Sequence, residues 1–396
     1  MSSNIGPKAQ SAYQKYLDAN TITEKIKELE VFISLVPKHK GTEKIVALNK
    51  SRLSKLRRQQ EEQKQRLKGS GKKSPFSIKK EGIQVILISD YHTPGVGKTS
   101  LLNYLTGAAK EKIGRFTAIP EIGIYTYNKI RYQIVDMPSI MEDASKGVGT
   151  GKEILAQLRS SDLLCLCVDL SRNIDDQIRL IMNELTLADI RINLPPPPIT
   201  IEKTGSNKIQ VFYLTKEAKA DTKLAELTDK IKEIVHENGI RNAIVKILGE
   251  VTLNDVVDAL TPSVVYKKAI IIGTKGDLPQ TIPTYNKLEK DYSNKFPIIF
   301  GISVNKQNFP EDFGEIVLNF LEKIKIYTMN AGRVAEKPLI MDRYSIMKDV
   351  ALKIHKSFLE NYDYAVIIRK SDQQKRKKVG LDYELMDSDT IEFHTK

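Results

Sequence analysis

The chain has 396 residues and 41% hydrophobic content, enough for real cores and roughly two to three domains. No apolar run approaches the roughly 18 residues of a membrane span, and the opening MSSNIGPKAQ lacks a signal-peptide core. The expectation is therefore a cytoplasmic protein rather than a membrane or secreted one. Residues 1–80 hold 19 Lys+Arg against 7 Asp+Glu, so +12 of the formal +13 lies in that fifth of the chain. Such a concentration points to a polyanion partner, RNA or the ribosome, rather than to a solvated surface alone.

Thr21-Ile-Thr-Glu24 is a capping box, and Ile22, Ile26, Leu29, Ile33 and Val36 then form one stripe of a helix that ends at Pro37. Thr42 opens a second helix to about Leu67, closed by Gly69-Ser-Gly71. The two make a helical hairpin whose second arm is basic. Arg52, Lys55, Arg57 and Arg58 on that arm are the candidate RNA contacts. A basic linker leads on to residue 80.

From Ile83 the chain reads as a buried parallel strand running into Pro94-Gly95-Val96-Gly97-Lys98-Thr99-Ser100 and then a helix. Strand, glycine loop, Gly-Lys-Thr and helix form a phosphate-binding loop. The glycines turn backbone N–H groups inward, and the helix N-terminus adds free N–H groups and its positive dipole end. Lys98 would reach the β- and γ-phosphates, and the Thr99 hydroxyl would ligate Mg²⁺. His92 stands where the full pattern has a glycine, and the loop length departs by about three residues if the strand ends at Ser89.

Strand IRYQIV then enters Asp136-Met-Pro-Ser139. A carboxylate there fits a water-mediated Mg²⁺ contact, and the Ser139 N–H would report the γ-phosphate in place of the usual glycine. Gly147, Gly149 and Gly151 mark a flexible loop able to switch. Strand LLCLCVDL follows; Cys165 and Cys167 lie two apart on one of its faces and read as core rather than as a metal or redox pair. Residues 171–265 read as an inserted α/β module, after which strand AIIIG leads into Thr274-Lys275-Gly276-Asp277 and strand PIIFGI into Ser303-Val304. The Asp277 carboxylate would accept two N–H bonds from guanine, Lys275 would lay its stem along the base, and Thr274 would bond the phosphate loop. Ser303 and Val304 would present backbone to guanine O6. These motifs all sit at strand C-terminal ends, where open α/β sheets bind ligands.

With those residues placed, the chain resembles the Drg family of Obg-related GTPases. Asp136 to Gly151 tracks that family's switch II, with Ser139 and Asp143 replacing two glycines. Phe116-Thr117 resembles its switch I Phe-Thr-Thr, the second Thr being Ala118. KVGLDYELMDSDTIEF resembles the end of its TGS domain. The resemblance implies an α/β P-loop GTPase domain with a parallel-type central sheet at 81–170 and 266–330. It adds an N-terminal helical hairpin and linker (1–80), the inserted module and a β-grasp-like TGS domain (331–396). It also implies a cytoplasmic GTPase on ribosomes or RNA, with a stabilising partner protein. Thr117, Thr99 and Asp136 would be its Mg²⁺ ligands, and Lys98 and Thr117 its catalytic residues. Ile140 replaces the water-orienting glutamine, so intrinsic GTP hydrolysis should be slow. Gly95 offers no side chain where several members hold K⁺, which argues against K⁺ dependence. The alternatives are a nucleotide-sensing scaffold and an RNA-binding protein with little or no GTP hydrolysis.

Overall fold

The structure is a computed structural model. It describes residues 6–19, 22–37, 42, 46, 49–50, 52–54, 56, 74–109, 117–205, 208–219, 224–330, 332–355, 358–359, 361–369 and 375–395. The chain forms two compact units, Met1–Ser77 and Ile78–Lys396. Among the described residues no helix is long and apolar enough to cross a membrane.

In the first unit, α1 (Pro7–Asp18) precedes α2 (Ile22–Leu35). The capping box did not announce α1. Its own signal is Pro7 at the first helical turn, where the missing N–H has no intrahelical partner to lose. Ala9 and Ala12 bury against Leu29, Phe32 and Val36, with Tyr13, Val46 and Leu53 packed around them. The described part of the basic arm, around residues 46–56, is helical. Thr21, Lys55, Arg57, Arg58 and the arm's end at Leu67 lie outside the described residues. Arg52 donates from Nη1 to the Tyr13 hydroxyl at 2.9 Å and remains exposed.

The second unit is built on a seven-stranded sheet in the order β10-β9-β4-β1-β3-β2, with β5 added beside β9. Its strands are β1 (Ile83–Ile88), β2 (Glu121–Tyr127), β3 (Ile130–Asp136), β4 (Leu163–Asp169), β5 (Ile190–Ile192), β9 (Val265–Thr274) and β10 (Ile299–Gly301). All neighbours are parallel except β2, which returns antiparallel on β3. β1 and β4 are buried along their whole length, which is why they read as unbroken apolar runs. Cys165 and Cys167 are buried within β4, and burial pushes the Cys167 thiol up to about 12. Helices α3 (Lys98–Thr106), α4 (Gly151–Ser160), α5 (Ile174–Leu187), α8 (Thr281–Tyr292) and α9 (Phe313–Phe320) belong to this part of the unit.

A small sheet, order β6-β8-β7, holds β6 (Ile199–Lys203), β7 (Ile209–Tyr213) and β8 (Ala243–Ile247). It packs with α6 (Leu224–Glu237) and α7 (Leu253–Leu260) around Ile231, Val235 and Val245. Helix α5 and β5, expected inside the inserted module, join the main sheet instead: α5 packs on β4, and Ile190–Ile192 pairs with Val265–Lys267. The chain therefore leaves the main sheet after β5 and comes back along β9. Arg159 ties exit to return, donating to the Ala188 carbonyl at 2.7 Å and to the Ser263 carbonyl. The Ser263 hydroxyl donates to Asp189 Oδ2 at 2.6 Å.

The last sheet runs from β11 (Lys323–Asn330), through β12 (Arg333–Val334), β13 (Leu339–Asp342), β14 (Tyr362–Ile368) and β15 (Arg376–Val379), to β16 (Thr390–Thr395). Helix α10 (Met347–Ile354) covers it, with Met347 and Val350 buried against Ile326, Ile367 and Ile391. Strand β11 belongs to this sheet, so the β-rich module begins before residue 331.

Candidate nucleotide site

The site gathers at the C-terminal ends of β1, β3, β4 and β9. β1 stops at Ile88, and residues 89–97 carry the chain to α3. Gly97 has φ 104° and caps α3; that left-handed backbone suits glycine, and the turn leaves the helix's first N–H groups open. The extra loop residues take a defined path. Asp90 bridges Ile140, with Tyr91 N–H donating to the Ile140 carbonyl (2.9 Å) and Ile140 N–H to the Ser89 carbonyl (2.8 Å). Ile140, at the glutamine's place, is thus buried and strapped to the phosphate loop.

Lys98 is buried, and its ammonium donates to Ser89 Oγ at 2.5 Å and Ser139 Oγ at 3.1 Å. Burial draws its pKa below the usual lysine range, against the opposing pull of Asp136, Cys167 and Asp90. The three acidic or hydroxyl groups expected at the metal come together. Thr99 donates to Asp136 Oδ2 at 2.5 Å, Thr117 donates to the same oxygen at 3.2 Å, and the two hydroxyls lie 3.3 Å apart. Burial pushes the Asp136 carboxyl above its usual range, opposed by Lys98 and the two threonine bonds. Asp136 Oδ1 is buried with no hydrogen-bond partner, as is Asp90 Oδ1. An orphaned carboxylate oxygen beside two hydroxyls is a hard-oxygen donor set of the kind that suits Mg²⁺.

Beside this cluster opens a cavity of about 500 Å³, lined by Gly95, Val96, Gly97, Ser100, Thr274, Lys275, Asp277 and Val304 among others. Pro94 and Ser303 are not among its lining residues. Thr274 does bond the phosphate loop: its hydroxyl donates to the Val96 carbonyl at 2.6 Å, with the Val168 carbonyl at 3.2 Å. Asp277 is half-buried; the Ser303 hydroxyl, its own backbone N–H and Asn305 hold its carboxyl below the usual range. Ser303 N–H is directed to Asn308 Oδ1. Lys275 sits at φ 60° with its ammonium 2.6 Å from Asp169 Oδ2, a fully buried carboxylate ending β4.

Sequence reasoning missed three partners: Asp169, which follows the same strand-end logic as Asp136; Asn305; and Glu184 on α5. Glu184 is buried and accepts the N–H groups of Asp143 and Ser145, both at 2.9 Å. The loop expected to be flexible is therefore anchored in the structure. Asp143 takes the left-handed conformation of the glycine it replaces (φ 60°), and a Cβ on Gly151 would lie 2.4 Å from the Ala144 carbonyl oxygen.

Phosphate loop, strand-end carboxylate and Thr-Lys-Gly-Asp on a mostly parallel sheet define a guanine-nucleotide-binding protein of the P-loop GTPase fold. Comparison with family models agrees: residues 93–195 match the 50S ribosome-binding GTPase model, 212–321 the C-terminal region of that domain, and 324–395 the TGS domain. The chain is 32% identical to a GTP-binding protein of Methanocaldococcus jannaschii over 94% of this chain and 93% of that protein. It is 28% identical to Developmentally-regulated GTP-binding protein 1 of Xenopus laevis (94% and 98%). It is 27% identical to Ribosome-interacting GTPase 1 of Saccharomyces cerevisiae (94% and 98%). The chain belongs to the Drg family of GTP-binding proteins with a TGS domain.

Proposed function

We propose that the protein is a Mg²⁺-dependent GTPase that acts as a slow switch on the translation apparatus. The observation that carries this reading is the Thr99–Thr117–Asp136 cluster with its unpaired Asp136 oxygen beside Lys98. Thr99, Thr117 and Asp136 would hold Mg²⁺, which neutralises phosphate charge when bound. Lys98 would leave the Ser89 and Ser139 hydroxyls for the β- and γ-phosphates, and the Ser139 N–H would contact the γ-phosphate. The loop from Pro94 to Ser100 cradles the phosphates, while Asp277, with Thr274, Lys275, Ser303 and Val304 around it, selects guanine. Domain limits follow the same reading: hairpin, split G domain, inserted module and TGS domain.

Support for a ribosomal partner is the name of the yeast relative and the basic first unit, with Arg52, Lys55, Arg57 and Arg58 as its proposed phosphate contacts. A second protein that steadies the chain and a cytoplasmic location fit the same picture. The competing reading is a nucleotide-sensing scaffold, favoured by Ile140 in the glutamine's place.

Multiple-turnover phosphate release separates the two. The expected result is a rate near 10⁻³ s⁻¹ or less alone, rising with ribosomes and absent in Lys98→Ala. No rise above the Lys98→Ala background under any condition would leave the scaffold.

A further inference from the structure

At the opposite rim of the main sheet lies a second concavity, of about 390 Å³, between the N-terminal ends of its strands and the TGS sheet. Six cationic side chains line it, Lys80, Lys129, Arg131, Lys323, Lys337 and Lys353, against a single carboxylate, Asp162. They arrive from separate segments: the approach to β1, the β2–β3 hairpin, β11, the approach to β13, and α10. Like charges that converge from so many places repel one another unless an anion offsets them.

The acids at hand do not supply that anion. Asp162 is already committed to Lys80 (2.6 Å) and to the Gln84 N–H (2.9 Å). Glu81, Glu336 and Asp342 reach Arg131, Lys129 and Lys323 from the rim, with side chains 47%, 84% and 75% exposed. Ion pairs that exposed are weak and yield to a better-placed anion. Among the described residues Lys337 has no carboxylate partner, and Lys353 donates only to the Ile340 carbonyl, at 2.5 Å. Desolvation at the wall, with Lys323 adding repulsion, holds the Lys353 pKa below the usual lysine range. The floor is fixed: Gly82 has φ 76°, and a Cβ there would fall 2.2 Å from the Arg131 carbonyl oxygen.

We propose that this seam is a binding site for a ligand with two or more adjacent phosphoryl groups, either a free oligophosphate or consecutive backbone phosphates of an RNA strand. Flexible lysines around a cavity of this size match several phosphate oxygens at once, where a lone carboxylate ligand would meet too few. The site is independent of the guanine pocket and lies at the other end of the strands.

The test is calorimetric titration of the full chain, saturated with GDP, using tripolyphosphate as probe. Tripolyphosphate should bind, and Lys337→Glu/Lys353→Glu should weaken it roughly tenfold or more, since two attractions become repulsions. Lys98→Ala should leave it unchanged. GDP affinity in the double variant reports that it is folded; Lys337→Ala, a milder change on an exposed side chain, should show a smaller loss in the same direction. No binding, or binding lost in Lys98→Ala and kept in both seam variants, overturns the proposal. Displacement of tripolyphosphate by a short single-stranded RNA identifies the backbone as a ligand; failure to displace it leaves the free oligophosphate.

Discussion

Thr274 joins β9, β4 and the phosphate loop with one hydroxyl, through the Val168 and Val96 carbonyls. Thr274→Val keeps the shape and removes the donor. It should cost about 1–2 kcal/mol of stability, because buried carbonyls lose their partner. GDP affinity should fall with it, since the loop bearing Gly97 is no longer tied to β9. A melting curve and a GDP titration read both effects; unchanged values in each would mean that the bond is idle. Asp277 makes a different demand. Its carboxylate is preset for two N–H donors by Ser303 and Asn305. Asp277→Asn replaces one acceptor edge with a donor, so GTP affinity should drop at least roughly tenfold while xanthine nucleotides gain. Competition titration with GTP, XTP and ATP decides it.

Among the elements, the segment from Met141 to Gly151 hangs on one side chain from another helix. Glu184→Ala removes two charge-assisted bonds to the Asp143 and Ser145 N–H groups and should cost about 1–3 kcal/mol. Amide exchange at those two residues should speed up well before global unfolding; protection equal to the wild type would show that other contacts hold the loop. No sequence pattern announces this bond, because Glu184 sits in an ordinary amphipathic helix and its partners are far along the chain. The same limit applies to the loop after β1. Gly-x-Gly-Lys-Thr is local and readable, whereas the path of Asp90 depends on pairing with Ile140. Strands β1, β3, β4 and β9 were legible because burial on both faces writes itself as apolar runs. β2 was not: it is a partly exposed edge, EIGIYTY, and its only other mark is the Asn128-Lys129 turn, with both residues at positive φ. Thr-Lys-Gly-Asp was legible as a motif, but the Lys275–Asp169 pair needed the sheet order to bring β4 beside β9.

For the whole molecule, most of the net charge lies in the first unit, with 17 Lys+Arg against 7 Asp+Glu in residues 1–77, and the nucleotide site lies in the second. If about five basic residues meet phosphates, log affinity for RNA should fall with log salt at a slope of roughly −3.5 to −4.5. Deleting residues 1–77 should flatten that slope and weaken ribosome co-sedimentation while leaving GDP affinity intact. A truncated chain that pellets at full affinity would move the contact to the basic edge strand β15 or elsewhere. The excursion that leaves after β5 and returns along β9 is fastened at its base by Arg159 and Ser263. Loop-closure entropy grows only with the logarithm of loop length, about 0.6 kcal/mol per doubling. With exit and return pinned, a change of length within residues 199–260 should cost the main sheet little, provided the two bonds from Arg191 on β5 to Asp258 on α7 (2.8 and 2.7 Å) are kept. A longer or shorter module should then leave the strand carrying Thr274 in register as long as Arg159, Ser263 and Arg191 keep their partners.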